Sequence, residues 1–307
     1  MISQQMEEYL EAIGKLQERG QPVTTSALAR ECGVAAPTVT EMLHRLAGQG
    51  LIDYTPRREI ALTEAGRSLS STVIRRHRLW ERFLHDVLGL GWDRVHDEAC
   101  QLEHATSPDL ERRLARALGN AATCPHGHAI PAADAGAAST ATSLLSDLTP
   151  PASARIVSVS EEAPLLRRLA ALKLRPGAVV QVTANSPDEG TVTLSTAGVQ
   201  HTLAHGEAAR IAVAPLSAAE ERAEQALPLA ELAPGATARI CGFRAGRGLV
   251  GRCLALGFTP GAEVRMVQNA GQGPVIVIVR ETRVALGRGE AGRILVSREG
   301  EDHAEAG

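Results

Sequence analysis

The second half of the chain repeats itself, and this repeat limits its fold more than any other feature. ALKLRPGAVVQV (171–182) matches ALGFTPGAEVRM (255–266), and EAARIAV (207–213) matches EAGRILV (290–296). RIVSV and RICGF form a third pair, and all three repeat at offsets of 83 or 84 residues, which indicates an internal duplication. Each copy has short β runs, a brief helical segment before a Pro-Gly turn and a final Arg-Ile-x-Val strand. This pattern predicts two small SH3-like β-barrels of about 65 residues.

The order of elements near the amino terminus predicts a different structure. Residues 24–67 read TTSALARECGVAAPTVTEMLHRLAGQGLIDYTPRREIALTEAGR. We expect a short helix over about 25–31 and a second helix over about 36–48, which begins at Pro37. The strands LIDY and EIAL follow, joined by the polar tip TPRR. Helix, turn, helix and a two-stranded wing make up the winged helix-turn-helix pattern.

A helical block follows the wing, and the chain is expected to be multidomain, mainly α and then β. One long helix is predicted from Glu64 to about Leu88, and VHDEACQLEH (95–104) lies on a shorter one. Residues 129–151 are rich in Ala, Ser, Thr and Pro and are interpreted as a flexible linker. The predicted domains are a winged helix-turn-helix domain (1–70), a helical domain (71–128), the linker (129–151) and two SH3-like domains (152–216 and 227–298).

Composition narrows the function classes. Aromatic residues make up only 2% of the chain, so a binder that stacks single-stranded bases on aromatic side chains is not expected. The net charge of −3 neither predicts nor excludes a nucleic-acid partner. No apolar run is long enough to span a bilayer, no secretory signal is evident, and the five cysteines are scattered, so we expect a cytoplasmic protein without a membrane partner. No HExxH, nucleophile elbow or paired acid/base motif is found, so an enzyme is not expected.

The stretch VHDEACQLEH carries potential metal ligands at helical spacing. His96, Cys100, Glu103 and His104 are related by steps of three and four, so their side chains share one helix face. Together a thiolate, a carboxylate and two imidazoles suit a divalent first-row transition metal. Further candidates on other predicted helices are His77, Glu81, Glu8 and Glu11.

Alternatives remain open for each residue taken alone. A single His or Glu on such a helix is usually a solvated or hydrogen-bonded surface residue, and Cys100 could be a small buried apolar side chain. CPHGH (124–128) is interpreted as a structured turn, because three ligands so close in sequence are sterically awkward for one tetrahedral centre.

The helical block resembles a known family. RHRLWERFL (76–84) and VHDEACQLEHATSPDLERRL (95–114) resemble the dimerisation and metal-binding helices of the diphtheria toxin repressor family of iron- and manganese-dependent regulators. The resemblance covers about residues 1–127, including the winged helix. It implies a primary metal site formed by Glu8, Cys100, Glu103 and His104. It implies a second site formed by His77, Glu81, His96 and Glu162, the last from the first SH3-like domain.

The resemblance also bears on which metal is bound. Iron-responsive members typically have Met at the position of Glu8, whereas manganese-responsive members have acidic residues there and near Glu11, and usually Glu at the position of Cys100. A further amide ligand of some iron-responsive members falls near Leu165, which cannot coordinate a metal. Thiolate favours Fe(II), Co(II), Ni(II) or Zn(II) over Mn(II), and added carboxylate has the opposite effect. The second repeat, through LALGFTPGAEV and EAGRILV, resembles the ferrous-iron-transport A (FeoA) domain. We expect Fe(II), with Mn(II) as the alternative.

The winged helix predicts a double-stranded DNA partner. In this motif the second helix lies in the major groove and the wing contacts phosphates. The candidate DNA-binding residues are Ala35, Pro37, Thr38, Thr40, Glu41, Arg57 and Arg58. The resemblance implies a homodimeric repressor that binds palindromic operators of metal-homeostasis genes when loaded with metal. A manganese-responsive regulator of the same family is one alternative. An interaction module of a different class, whose SH3-like domains bind a protein such as a membrane iron transporter, is another.

Overall fold

The computed structural model describes residues 2–55, 58–132, 142–217, 220–221 and 226–298. The chain divides into two compact units, Met1–Pro215 and Leu216–Gly307. Among the described residues, no helix is both long enough and apolar enough to cross a bilayer.

The first unit begins with the predicted winged helix-turn-helix. Its helices are α1 (Gln4–Glu18), α2 (Thr25–Glu31) and α3 (Ala36–Gly48), and the last two have the predicted bounds. The wing strands are β1 (Ile52–Asp53) and β2 (Ala61–Leu62), which pair antiparallel and are shorter than predicted. Pro56 and Arg57, which belong to the predicted tip of the wing, lie outside the described residues.

Local sequence explains these elements. Thr24 caps α2 because its Oγ1 accepts a hydrogen bond from the Ala27 N–H at 3.1 Å. Pro37 lies in the first turn of α3, where its missing N–H has no helical partner to lose. The apolar faces of the three helices are buried in one core that includes Leu10, Leu28 and Leu43.

Three helices follow the wing: α4 (Glu64–Asp86), α5 (Val95–Glu103) and α6 (Pro108–Ala117). α4 packs against α1, α5 and α6. The approach of α1 to α4 is close: a Cβ on Gly14 would lie 2.2 Å from Ser70 Oγ. The same Ser70 hydroxyl donates a buried hydrogen bond of 2.7 Å to the Leu10 carbonyl. This close packing places the polar face of α1 beside the ligand-bearing faces of α4 and α5.

The first unit ends with a six-stranded sheet. Its strands are β3 (Ser143–Leu144), β4 (Ala152–Val159), β5 (Val179–Ser186), β6 (Thr191–Thr196), β7 (Val199–Ala204) and β8 (Ile211–Pro215). Its helices are α7 (Ala163–Ala171) and α8 (His205–Ala208). The strand order is β3-β8-β4-β5-β6-β7. The sheet begins inside the segment predicted as a linker, because Ser143 and Leu144 pair with β8 and Leu145 is fully buried.

The second unit contains a sheet with the same order, β9-β14-β10-β11-β12-β13. Its strands are β9 (Leu227–Pro228), β10 (Thr237–Phe243), β11 (Glu263–Gln268), β12 (Val275–Val279), β13 (Thr282–Leu286) and β14 (Ile294–Arg298), with helices α9 (Arg247–Ala255) and α10 (Arg288–Ala291). Asn185 Nδ2 donates to the carbonyls of Ser146 and Leu148, and Asn269, 84 residues later, makes the equivalent bonds. This shared hydrogen bonding confirms the internal duplication.

The prediction of closed barrels is corrected by the strand order. Closure needs a hydrogen-bonded ladder between the first and last strands. In the described residues of each sheet, the edge strands β3 and β7, and likewise β9 and β13, are not paired with each other. β3 and β9 have only two residues each, which leaves too little edge to close a barrel.

Candidate metal centre and DNA-binding surface

Segments that are far apart in the sequence meet at one cluster of metal-binding side chains in the first unit. They come from α1, α4, α5, the turn after α6 and the segment after β4. We call this the metal cluster; its members are Glu11, His77, Glu81, His96, Cys100, Glu103, Cys124, His126 and Glu161. They form four overlapping groups, and within each group the ligand atoms lie within 4.8 Å of one another.

His77 lies at the centre of the metal cluster and is fully buried. Its Nδ1 lies 2.6 Å from Glu103 Oε2, and its Nε2 lies 3.1 Å from both Glu81 Oε1 and His96 Nδ1. Cys100 Sγ lies 3.9 Å from His77 Nδ1 and 3.8 Å from His96 Nε2. The helical spacing noted in the sequence therefore brings these five residues together, although their role as ligands remains a prediction.

The turn after α6 supplies two members that the sequence interpretation did not include. CPHGH is indeed a structured turn, since the Cys124 N–H donates to the His128 carbonyl at 2.9 Å. Cys124 and His126 also form a group with Glu81 and Glu161, and His126 Nδ1 lies 3.2 Å from Glu81 Oε1. Among the described residues, this group takes Cys124 and His126 from the turn but not His128, whose Nε2 lies 3.8 Å from Glu161 Oε1. The Cys-x-His pattern of the turn is the signal that could have found these two residues.

The predicted primary set of Glu8, Cys100, Glu103 and His104 is only partly assembled. His104 Nε2 lies 3.1 Å from Glu103 Oε1 but 3.9 Å from Glu8 Oε1. The other imidazole nitrogen, Nδ1, lies 2.7 Å from Glu7 Oε2. Cys100 contacts the two imidazoles described above. None of the groups formed by the described residues includes Glu8 or His104.

Glu11 is the α1 carboxylate that reaches the metal cluster. Its Oε1 lies 3.6 Å from His77 Nδ1, and it forms a group with His77 and Glu103. The Glu11 side chain is 9% exposed, whereas that of Glu8 is 49% exposed. Of the two acidic candidates on this helix, Glu11 is therefore the one placed to share a cation with α4 and α5.

From the first sheet domain, the carboxylate that lies in the metal cluster is Glu161 rather than the expected Glu162. Glu161 Oε2 lies 3.1 Å from His96 Nδ1. Glu162 is exposed, and its Oε2 lies 3.1 Å from Arg210 Nη1. Neighbouring residues in extended backbone point to opposite sides, so a shift of one residue exchanges a buried carboxylate for an exposed one.

This pair of glutamates offers a matched test. We expect Glu161→Gln to weaken Mn(II) binding at least about tenfold, because an amide oxygen lacks the charge that a divalent cation requires. Glu162→Gln should bind Mn(II) like the unmodified protein, since its partner is Arg210. Isothermal titration of both variants measures the difference. A larger loss in Glu162→Gln would contradict the assignment.

Opposite charges lower the pKa of two carboxylates of the cluster. Burial raises the pKa of Glu81, but the charge of His77 and hydrogen bonds from the cluster imidazoles hold that pKa well below its usual range. Burial also raises the pKa of Glu161, but the ammonium of Lys15, together with a hydrogen bond from His96 and the charge of His128, holds that pKa well below its usual range. Hydrogen bonds to His77 and His96 lower the pKa of the Cys100 thiol, against the effect of burial. Glu81, Glu161 and Cys100 thus favour their anionic forms, whereas burial raises the pKa of Glu103.

One buried carboxylate oxygen of the cluster, Glu81 Oε2, lacks a hydrogen-bond partner among the described residues, and it tests whether a metal fits. Leaving such an atom unsatisfied is costly, and a cation bound by it removes that cost. Burial raises the pKa of the Cys124 thiol well above normal, and a coordinating metal deprotonates a thiol outright. Imidazole, thiolate and carboxylate together are a donor set that a divalent first-row transition metal fits.

Helix α3 has one exposed face, which includes several of the residues predicted to contact DNA. Exposed residues on or near it are Ala35, Pro37, Thr38, Glu41, His44 and Arg45. Thr40 is only half-buried, and its hydroxyl donates to the Ala36 carbonyl at 3.1 Å. Arg45 was not a sequence candidate, although steps of three and four from Thr38 through Glu41 would have found it. Arg58 is exposed, and Arg57 lies outside the described residues.

A winged helix-turn-helix joined to a buried His, Cys and Glu cluster defines the class of metal-dependent transcriptional regulators. Family models match along the chain: the iron dependent repressor N-terminal DNA binding domain at 1–60, its metal binding and dimerisation domain at 63–132, and the FeoA domain at 144–215 and 227–298. The chain belongs to the diphtheria toxin repressor family. It is 34% identical over 200 residues to the diphtheria toxin repressor of Corynebacterium diphtheriae, a match covering 62% of this chain and 87% of that protein.

Two further similarities support the assignment. The iron-dependent repressor IdeR of Mycobacterium bovis is 43% identical over 125 residues, covering 41% of this chain and 54% of IdeR, so the match spans about half of that relative. A solved structure described as a manganese-dependent transcriptional repressor in complex with manganese is 34% identical, with a TM-score of 0.65. That similarity covers 69% of this chain and all of the other.

Proposed function

We propose that this protein is a metal-dependent transcriptional repressor that binds a palindromic operator as a homodimer and controls metal-homeostasis genes in the cytoplasm. The observation that carries the proposal is the buried metal cluster, whose side chains come from α1, from α4 and α5, and from the first sheet domain. Relatives named iron-dependent repressor and diphtheria toxin repressor support the class.

The positions of the cluster residues explain how metal binding would change the affinity for DNA. Glu11 lies on α1, which packs in the same core as α3, while His77 and Glu103 lie on α4 and α5. A cation shared by these residues would fix the angle between the DNA-binding domain and the helical domain. In a dimer, that angle sets the separation of the two α3 helices, which must match successive major grooves about 34 Å apart.

We propose Fe(II) as the physiological metal. Cys100 and Cys124 are soft ligands, and thiolate favours Fe(II) over Mn(II) in a mixed site. The carboxylates of Glu11, Glu81 and Glu161 still permit Mn(II), and a manganese-responsive regulator is the nearest alternative. Anaerobic competition between Fe(II) and Mn(II) tests the choice, and tighter binding of Mn(II) would contradict it.

The function itself is tested by measuring metal content and DNA affinity together. The chelated full-length protein is kept anaerobic and titrated with Fe(II) or Mn(II) in the presence of a duplex selected from a random library by the loaded protein. We expect metal to raise affinity for this duplex about 5–150-fold, the usual size of such coupling, and to leave a scrambled duplex weakly bound. Equal affinity with and without metal contradicts the proposal.

Contacts from the exposed face of α3 supply a second test. We expect Thr38→Ala to weaken binding to the selected duplex about tenfold, because Thr38 lies exposed in the first turn of the helix that enters the groove. Thr282→Ala, an exposed threonine of the second sheet, is the control and should bind like the unmodified protein. A mobility-shift titration measures both, and equal affinities would exclude Thr38 from the DNA contact.

A protein partner for the second unit is a separate proposal. Leu254 and Leu256, at the end of α9, are exposed, and they are the apolar side chains through which the second unit would contact such a partner. If the second unit serves a protein partner, a chain ending at Pro215 should keep metal-dependent DNA binding. Loss of DNA binding in this truncated chain would instead give the second unit a part in the repressor function.

A further inference from the structure

Lysine is rare in this chain, and one of its lysines contacts two carboxylates of the metal cluster. The sequence has 32 basic residues, of which only Lys15 and Lys173 are lysine. Lys173 is exposed, whereas the side chain of Lys15 is only 14% exposed. A buried ammonium is uncommon unless it is paired with opposite charge. This largely buried lysine therefore requires an explanation from its surroundings.

Lys15 bridges two carboxylates that come from different domains. Its Nζ lies 3.0 Å from Glu11 Oε1 and 3.1 Å from Glu161 Oε2. These are the same oxygen atoms that face the cluster imidazoles, because Glu11 Oε1 is 3.6 Å from His77 Nδ1 and Glu161 Oε2 is 3.1 Å from His96 Nδ1. The ammonium thus holds the atoms that a metal ion would need.

The charges around Lys15 explain why a cation is needed there in the absence of metal. Glu11, Glu81 and Glu161 each belong to a group of the metal cluster, and Glu81 is fully buried. Like charges so close together repel strongly when burial lowers the effective dielectric constant. The ammonium of Lys15 offsets part of that repulsion. Lysine suits this role because it is a compact point charge on a flexible stem, which can withdraw when a divalent cation enters.

We infer that Lys15 is a built-in cation that competes with the metal for Glu11 and Glu161 and so sets the metal concentration at which the protein responds. This inference rests on the proposed function, since it assigns a regulatory part to a residue of the same site. In the metal-free protein, Lys15 joins α1 to the segment after β4. On metal binding, the ammonium gives up at least one of these carboxylates, because a monovalent and a divalent cation cannot share the oxygens without repulsion.

The test compares three substitutions by anaerobic titration of the full chain with Mn(II). Lys15→Gln removes the competing charge, and we expect it to bind Mn(II) about tenfold more tightly, equivalent to about 1.4 kcal/mol. Lys15→Arg keeps the charge and can bind both carboxylates through its planar fork, so it should bind Mn(II) more weakly. Lys173→Gln, at the other lysine, should match the unmodified protein.

A second readout separates competition from a merely structural role. Without metal, Lys15→Gln should unfold at a lower temperature than the unmodified protein, whereas with saturating Mn(II) this difference should vanish. Unchanged or weaker Mn(II) binding by Lys15→Gln overturns the inference. If that variant does not fold, Mn(II) affinity of Lys15→Arg equal to that of the unmodified protein overturns it instead. Failure of the proposed function is distinct, because the unmodified protein would then show no metal-dependent DNA binding.

Discussion

Replacing His77 by asparagine is expected to abolish metal-dependent DNA binding and to lower Mn(II) affinity about 100-fold or more. His77 is fully buried and belongs to three of the four groups of the metal cluster. Asparagine can imitate Nδ1, which faces Glu103, but it is too short to replace Nε2, which lies 3.1 Å from Glu81 and His96. The variant thus loses the atom that faces both Glu81 and His96 at the centre of the cluster.

His85 on the same helix is the matched control. Its Nδ1 lies 3.0 Å from the Leu90 carbonyl, a contact that the amide of asparagine can keep. His85→Asn should therefore bind Mn(II) and DNA like the unmodified protein. Metal content, measured after equilibrium dialysis, and mobility-shift titration check both variants. Full metal content in His77→Asn would show that the centre of the site lies elsewhere.

Gly127→Ala is expected to destabilise the first unit by about 3 kcal/mol or more. Gly127 has a φ of +89°, and a Cβ there would lie 2.0 Å from the Val157 carbonyl oxygen and 3.0 Å from Ser158 Cα. Because these neighbours are backbone atoms of β4, the turn that carries Cys124 and His126 would have to move. Mn(II) binding should weaken for the same reason.

The control substitution Gly119→Ala distinguishes the steric effect at Gly127 from the strain of a positive φ. It also has a positive φ, of +63°, but a Cβ there would meet nothing within 4 Å. We therefore expect Gly119→Ala to cost only about 1–2 kcal/mol, the strain of a left-handed alanine. Both tryptophans, Trp80 and Trp92, lie in the first unit, so their fluorescence during urea unfolding reports on that unit alone. Equal losses in the two variants would refute the close contact at Gly127.

Part of the candidate site could be predicted because helices impose a regular spacing. Once α4 and α5 are helices, His77 and Glu81 must share a face, and so must His96 and Cys100. The structure places these four side chains together. The bounds of α2 and α3 also agree with the prediction, in which Pro37 marks the start of α3.

Other members of the cluster could not be assigned in this way because they lie on turns and extended segments without a helical period. Along such backbone a shift of one residue reverses the direction of the side chain. The expected carboxylate, Glu162, is therefore exposed, whereas its neighbour Glu161 lies in the cluster. The turn at Cys124 faces Glu81 only because it packs against β4. Lys15 was not singled out at all, since its position on α1 does not reveal that Glu161 lies beside it.

The sequence by itself determined which elements form and in what order, because capping, apolar periodicity and the 84-residue repeat act locally or by comparison of similar segments. Only the tertiary structure decided which carboxylates meet the imidazoles, that the duplicated domains are open sheets, and that an ammonium lies among the ligands. These features depend on contacts between residues as much as 146 positions apart, as between Lys15 and Glu161. Such contacts depend on how whole elements pack, and no local pattern encodes that packing.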